Sequence, residues 1–218
     1  MCGGRGSGCA RAFLCSLALL ALLAVVSGCR PKADKVKPGE RASTFTFVAS
    51  PSASDVPKGP VKGWANGRAF AGRTIWFEPE RDRWTLTVAD ADLKNPTSVH
   101  LTSDDPLRAI VLLPPGVQPT VGTPLQKSLK FGDGQFDILD QAGKRVAWLA
   151  PNSYYVEITK WDVKPYDPSG PMVQVGKASG KVYVAYQGSS VYGYSDSGAA
   201  GEFSDVLVRY WGKPQWSK

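Results

Sequence analysis

The sequence RTIWFEPERDRWTLTVA, residues 73–89, is the stretch that determines the fold class. Two runs rich in aromatic and β-branched residues, 73–78 and 83–89, are separated by the turn-forming residues 79–82. In the second run apolar side chains alternate with threonine, and a period of two is typical of a strand with one buried face. The alternating residues are Trp84, Thr85, Leu86, Thr87 and Val88. This stretch therefore predicts a β-hairpin.

The rest of the chain from residue 63 onward repeats this pattern of short strands and turns. Further β-like runs occur at 68–70, 98–103, 109–113, 127–131, 135–139, 145–150, 154–163, 181–186 and 202–211. Asn66-Gly67 predicts a type I′ turn, because both central residues of that turn need a positive φ. No window sustains a helical period over three turns. We therefore predict one all-β domain over residues 63–218, an antiparallel β-sandwich or barrel built of hairpins and meanders.

The first 28 residues have the organisation of a secretory signal peptide. Residues 1–11 carry two arginines and no acid, and an apolar run follows at 12–26. This run is shorter than the ~20 apolar residues that a membrane-spanning helix needs. The small residues Ser27 and Gly28 end it. We expect residues 1–28 to be cleaved from the mature chain.

The tetrapeptide Val26-Ser27-Gly28-Cys29 resembles the lipobox of bacterial lipoproteins, in which an apolar and two small residues precede a cysteine. The resemblance implies cleavage between Gly28 and Cys29, a diacylglyceryl thioether on Cys29, and acylation of its freed amine, for example by palmitate. Such chains would anchor the protein to a membrane, since each buried methylene contributes ~0.8 kcal/mol. Arg30 favours the outer membrane and its periplasmic face, if the cell is Gram-negative. The alternative is an ordinary secretory signal with a chance cysteine.

Residues 29–62 have the composition of a flexible linker, with prolines interrupting a Ser-, Ala-, Gly- and Lys-rich segment. The exception is TFTFVA at 44–49, whose alternation is that of an added edge strand. Residues 30–63 carry seven basic and three acidic side chains, whereas the 17 basic and 16 acidic side chains from residue 64 onward nearly balance. The basic charge therefore lies in the linker, where it is solvated or touches anionic lipid. We predict no nucleic-acid partner, because the folded domain lacks a basic excess.

Residues that could hold a metal ion are sparse. All four cysteines lie at or before Cys29, so the domain has no disulfide, and His100 is the single histidine. Zinc sites need three or four Cys, His or carboxylate ligands, so we expect no zinc or copper site and no cofactor. The weak calcium candidates are one loop with Asp90, Asp92 and Asn95, and a second acidic set with Asp133, Asp137 and Asp140. The alternative is that these residues form ordinary turns.

Catalytic patterns are equally weak. Ser98, His100 and Asp104 lie close in sequence, but no G-x-S-x-G elbow accompanies them. Four glutamates could supply paired carboxylates for glycoside hydrolysis: Glu78, Glu80, Glu157 and Glu202. Glu157 is expected to face the same side of its strand as Tyr155 and Trp161. No glycine-rich phosphate loop precedes a helix, so the sequence does not predict an enzyme.

Aromatic residues are the most informative surplus of the domain. The candidate ligand-binding residues are Tyr183, Tyr186, Tyr192, Tyr194 and Trp161. Their rings combine an apolar face with a polar edge, which suits sugars, peptides or partner proteins. The Gly/Ser-rich stretch GYSDSGAAG at 193–201 has a loop composition, and loops on rigid scaffolds often carry recognition. The alternative is that these rings fill a core.

Two hypotheses of function follow from these observations. The first is a non-catalytic, membrane-tethered envelope lipoprotein, a binding or structural module whose partner is an envelope protein or glycan. The alternative is a carbohydrate-binding or carbohydrate-active module that uses surface Tyr and Trp side chains. The opening GWANGRAF and the closing GEFSDVLVRYW also resemble small β-sandwich envelope lipoproteins of unknown function. That resemblance implies a fold and no activity.

Overall fold

The computed structural model describes residues 45–94, 96, 106–132, 134–165, 167, 169–171 and 173–211, all within one unit of the chain, Gly39–Lys218. They form eleven strands and one short 3-10 helix, Ala53–Asp55. The strands are β1 Lys62–Ala65, β2 Arg68–Ala71, β3 Thr74–Glu80, β4 Arg83–Ala89, β5 Arg108–Leu112, β6 Leu125–Lys130, β7 Gly134–Leu139, β8 Arg145–Trp148, β9 Asn152–Asp162, β10 Val173–Tyr186 and β11 Ser197–Trp211. The all-β prediction is confirmed. Within these ranges, no helix is long and apolar enough to cross a membrane.

The strands form one mixed sheet that curls into a half-barrel. Its main path runs β6-β9-β10-β11-β3-β4-β5-β7-β8, and β1 pairs with both β11 and β2. Neighbouring strands are antiparallel except β11 and β3, which run parallel with Leu207 beside Trp76. This pair departs from the predicted series of hairpins. It forms because β11 spans fifteen residues, so its first part pairs with β1 and its second part extends to β3.

Strand β4 has the predicted alternation, but both of its faces are buried. Trp84, Leu86 and Val88 belong to the main hydrophobic core inside the half-barrel. Thr85 and Thr87, on the opposite face, are also buried. The prediction of a half-buried strand is therefore wrong, because β4 is a central strand and the short threonines lie beside larger side chains. Trp76, for example, is the cross-strand neighbour of Thr87.

A second apolar cluster lies on the outer face of β9, β10 and β11. Its buried members are Tyr155, Tyr183, Ala185 and Ala200, and the residues packed against them are Phe45, Phe47, Val48 and Val56. We refer to residues 45–60 as the N-terminal segment. Apolar side chains from this segment cover a sheet face that would otherwise expose two tyrosines, so the segment belongs to the folded domain.

The N-terminal segment is held by hydrogen bonds as well as by apolar contacts. The Tyr183 hydroxyl donates to the carbonyl of Thr46 over 2.6 Å and accepts from the amide of Val48 over 2.8 Å. Ser153 Oγ donates to the Val48 carbonyl over 2.6 Å. The folded domain therefore includes the residues from Phe45 onward, whereas the predicted boundary is residue 63. The predicted edge strand at 44–49 is not formed over 45–49. These residues lie across the sheet face, and Ala49 accepts a backbone hydrogen bond from Leu129 of the edge strand β6 over 2.7 Å.

Candidate functional site

Two of the candidate tyrosines, Tyr183 and Tyr186, are buried in strand β10. Alternation along the strand points Val184 and Tyr186 into the main core and Tyr183 into the outer cluster. The Tyr186 hydroxyl donates to the carbonyl of Ile110 over 2.6 Å, and burial raises the pKa of Tyr186 well above its ordinary value. Burial also raises the pKa of Tyr183 to about 12. The prediction of exposed rings for ligand binding is therefore wrong at these two positions, because both belong to a strand buried on its two faces.

Trp161 is a third candidate that the structure places against the core. Its ring packs edge-on against Phe77 at 5.6 Å and against Trp84 at 5.5 Å. The sequence predicts that it shares a face with Tyr155 and Glu157, but the pairing of β9 with β10 shifts register by one residue before it. Because one extra residue reverses the alternation, Trp161 points into the half-barrel while Tyr155 points outward. The expected grouping of Trp161 with Glu157 is therefore wrong.

The two remaining candidates, Tyr192 and Tyr194, form an exposed cluster with a residue that the sequence did not single out. Trp148, in the edge strand β8, lies 4.8 Å from the Tyr194 ring and 5.7 Å from the Tyr192 ring. The tyrosine rings stack on each other at 5.9 Å with an interplanar angle of 24°. We refer to Trp148, Tyr192 and Tyr194 as the aromatic cluster.

The aromatic cluster is anchored on one side and open on the other. Trp148 and Tyr194 pack against the main core, whereas Tyr192 is 63% exposed. Two further apolar side chains, Val191 and Leu149, are among the most exposed large hydrophobic residues of the described chain. The cluster therefore exposes the Tyr192 ring, while Trp148 and Tyr194 connect it to the core of the half-barrel.

The loop that carries the tyrosines, residues 187–196 between β10 and β11, is fixed by backbone hydrogen bonds. The amide of Ser189 donates to the carbonyl of Tyr194 over 2.8 Å, and the amide of Tyr194 donates back to Ser189 over 2.9 Å. Asp196 accepts from the amide of Gly188 over 2.7 Å. Trp148 Nε1 donates to the carbonyl of Gln187 over 3.1 Å. These bonds fix the main chain of the loop and the indole of Trp148.

Asn66 connects this loop to two other parts of the same end of the sheet. It adopts a φ of 50° and Gly67 a φ of 80°, so the predicted turn with two positive φ angles is confirmed. Its side chain donates to the carbonyl of Leu139 over 2.9 Å and accepts from the amide of Ser195 over 2.8 Å. The β1–β2 turn, the end of β7 and the aromatic loop are thereby tied together.

The side-chain amide of Gln141 lies beside the loop that carries Tyr192 and Tyr194. A Cβ added to Gly193 would lie 2.5 Å from Nε2 of Gln141, so the β7–β8 turn and the aromatic loop approach each other closely there. Gly193 also adopts a φ of 67°, which most side chains disfavour. The glycine therefore allows the Gln141 amide to lie beside the loop that carries the rings.

Three of the four glutamate candidates, Glu78, Glu157 and Glu202, each accept a hydrogen bond from a neighbouring donor. Tyr155 donates to Glu157 over 2.9 Å, and burial together with this bond raises the pKa of Tyr155 to about 12. Trp76 donates to Glu78 over 3.0 Å, and the amide of Gly59 donates to Glu202 over 3.3 Å. These contacts tie the three carboxylates to neighbouring parts of the fold.

Neither calcium candidate forms a cation site within the described residues. Asp90 and Asp92 both face the Arg73 guanidinium at 3.7 Å, whose positive charge opposes a cation. Asp137 accepts from Arg108 over 3.3 Å and from Arg145 over 2.5 Å. No group of three His, Cys, Asp or Glu side chains that could hold a metal ion occurs in the described part of the chain.

Several predicted positions lie outside the described residues: Gly28, Cys29, Asn95, Ser98, His100, Asp104 and Asp133. Lipidation at Cys29 and cleavage after Gly28 thus remain predictions from the sequence. Comparison of the chain with protein-family models, with curated proteins and with solved structures finds no match. The aromatic cluster and the N-terminal sequence are therefore the two features of this chain that bear on its function.

Proposed function

We propose that this chain is a non-catalytic envelope lipoprotein, anchored by lipid on Cys29, whose β domain binds its ligand at the aromatic cluster. The observation that carries the proposal is the exposed ring of Tyr192, which stacks on Tyr194 and lies edge-on to Trp148 in a loop tied by backbone hydrogen bonds. The anchor is supported by Val26-Ser27-Gly28-Cys29 directly after an apolar run.

Fixed aromatic rings are suited to binding because little conformational freedom is lost when the ligand arrives. Tyrosine supplies a large contact area through two χ angles, and pre-organisation lowers the entropic part of the binding free energy. Tyr194 stacks on one face of Tyr192, and Tyr192 is 63% exposed, so much of this ring is available to a ligand. The apolar side chains of Val191 and Leu149 extend the same type of surface.

As a second, more specific proposal, the ligand of the aromatic cluster is a carbohydrate. A pyranose ring presents an apolar C–H face that stacks on an aromatic ring, and its hydroxyl groups pair with amides at the ring's edge. Tyr192 offers the ring, and Gln141 lies beside Gly193 in the same loop. A protein partner would use the same rings but would not depend on the amide.

Binding to isolated cell-envelope fractions and to a glycan array tests the site. Tyr192→Ala removes the exposed ring, and we expect at least a tenfold loss of retention, because truncating a central aromatic contact typically costs ~2 kcal/mol or more. Phe131→Ala is the matched control, since Phe131 is a comparably exposed ring, at 67%, outside the aromatic cluster. Equal retention of the two variants would contradict the proposed site.

A glutamine substitution separates the two ligand classes. Gln141→Ala should weaken retention of a glycan while leaving the association with a protein partner within twofold of the unchanged chain. If no glycan on the array binds while envelope fractions still retain the protein through Tyr192, the carbohydrate proposal fails and the general binding proposal stands.

The anchor is tested by Cys29→Ser. We expect the unchanged chain to fractionate with membranes and to carry a mass increment of diacylglycerol and an acyl chain at Cys29. The variant should lack both. An unmodified thiol at Cys29 in membrane-bound material would refute the lipoprotein part of the proposal.

A further inference from the structure

A groove separate from the aromatic cluster lies between the N-terminal segment and the β1–β2 hairpin. Its volume is about 870 Å³, within the range of about 300–1,000 Å³ that is typical of small-molecule sites. One side is formed by Phe45 and the other by Trp64, and Tyr183 and Ala200 contribute to the floor. The groove exists because the N-terminal segment crosses the sheet face without pairing to the hairpin.

The groove has room above the sheet because small side chains form part of its floor. Ala200 is paired with Lys62, and Lys62 is paired with Ala71, so these residues follow one row across β11, β1 and β2. In the adjacent row Trp64 is paired with Ala69. Alanines between larger rings leave an apolar trough along the sheet.

Phe45 closes one side of this trough at a defined position. Its ring stacks on Tyr183 at 5.5 Å and 22°. It also lies directly over Gly198, where an added Cβ would come within 2.2 Å of the ring. The glycine therefore lets the ring rest on the sheet, and the apolar wall of the groove is fixed from both sides.

Three cationic and two anionic side chains line the groove, so its net charge is +1. Arg73 faces Asp90 at 3.7 Å, and Asp55 accepts hydrogen bonds from Ser52. Lys58 and Lys62 also line the groove, and no described carboxylate lies within ion-pair distance of either. An apolar trough with a net positive charge, and with two lysines outside ion-pair distance of a described carboxylate, is complementary to an apolar molecule with an anionic end.

We infer that this groove binds a free amphipathic anion of the fatty-acid type, with its aliphatic chain along Ala69 and Ala71 and its carboxylate at Lys58 and Lys62. The inference is independent of the ligand at the aromatic cluster. A ligand without charge would gain the apolar contact alone, and an anion without an apolar chain would meet only two exposed lysines.

Titration calorimetry of the full chain carrying Cys29→Ser, with octanoate and with 1-octanol, tests the charge requirement. We expect octanoate to bind at least fivefold more tightly at low salt, and the difference to shrink as salt rises, because exposed charges are screened. Octanol binding as tightly as octanoate would indicate a purely apolar occupant, such as a peptide segment, and would overturn the inference. Absence of heat with both compounds would overturn it as well.

Two variants locate the site. Lys58→Gln with Lys62→Gln should weaken octanoate binding about fivefold, since each exposed ion pair is worth up to ~1 kcal/mol, and should leave octanol binding unchanged. Lys130→Gln with Lys144→Gln is the matched control, because these lysines do not line the groove. Equal effects of the two double variants would overturn the assignment.

A substitution that fills the trough provides the complementary test. Ala69→Leu, at an exposed position of β2, should reduce octanoate binding tenfold or more while the thermal unfolding midpoint changes little. Vesicles of phosphatidylglycerol and of phosphatidylcholine distinguish the source of the anion. Binding to phosphatidylglycerol vesicles that depends on Lys58 and Lys62, without binding of octanoate, would mean a membrane surface and would overturn the free-anion inference.

Discussion

Four tyrosines within twelve residues of sequence have opposite environments in this protein. Tyr183 and Tyr186 are 2% and 0% exposed in β10, whereas Tyr192 is 63% exposed in the loop that follows. Tyr183 and Tyr186 alternate between the two buried faces of β10. Tyr192 and Tyr194 lie in a loop that backbone hydrogen bonds hold at one end of the sheet. The same residue type therefore stabilises the fold in one place and offers a binding surface in the other.

The largest expected effect on stability is at Tyr186. Tyr186→Ala should lower the free energy of unfolding by about 3–5 kcal/mol, because a large aromatic side chain in a closed core leaves a cavity. Tyr186→Phe, which removes only the hydroxyl bonded to Ile110, should cost about 1 kcal/mol. Urea unfolding followed by circular dichroism measures both. Similar losses for the two variants would show that the ring is not enclosed.

Tyr183 should have an intermediate effect that is local to the N-terminal segment. Tyr183→Phe removes the hydroxyl that bonds Thr46 and Val48, and two lost hydrogen bonds cost about 1–2 kcal/mol. The Val48 amide donates to this hydroxyl, so its hydrogen exchange with solvent should become faster in Tyr183→Phe. Tyr155→Phe is the control, because its hydroxyl bonds Glu157 within the same cluster and does not contact the segment. Accelerated exchange in the control alone would contradict the assignment.

The pH dependence of stability should reflect the buried tyrosines. The folded-state pKa values of Tyr155 and Tyr183 are raised to about 12 by burial, above the ordinary value near 10. Since the folded state holds these protons more tightly, their contribution is complete below pH 10 and is lost as pH rises towards 12. The urea midpoint should fall over this window. Tyr183→Phe should show a shallower decline, and an identical slope would contradict the role of this hydroxyl.

The smallest expected effect on stability is at the aromatic cluster. Tyr192→Ala should change the free energy of unfolding by less than about 0.5 kcal/mol, because exposed side chains contribute little to folding. Thermal unfolding of the variant and of Phe131→Ala provides the comparison. A loss near that of Tyr186→Ala would mean that Tyr192 serves the fold rather than a ligand.

The sequence by itself determined the fold class and several local features. The alternation of Trp84, Leu86 and Val88 with threonine predicted strand β4, and Asn66-Gly67 predicted a turn with positive φ angles, because both depend on neighbouring residues alone. The N-terminal signal and Cys29 are also read from a linear pattern, and they remain predictions. These features need no knowledge of distant parts of the chain.

Only the tertiary structure decided which aromatic rings are exposed. Trp161 faces the core because of a register shift with β10, and Trp148 joins Tyr192 and Tyr194 from a strand about forty residues earlier. The N-terminal segment packs on Tyr183 from more than 130 residues away. Burial depends on what covers a face, and the covering residues here come from distant strands and segments whose pairing no local pattern specifies.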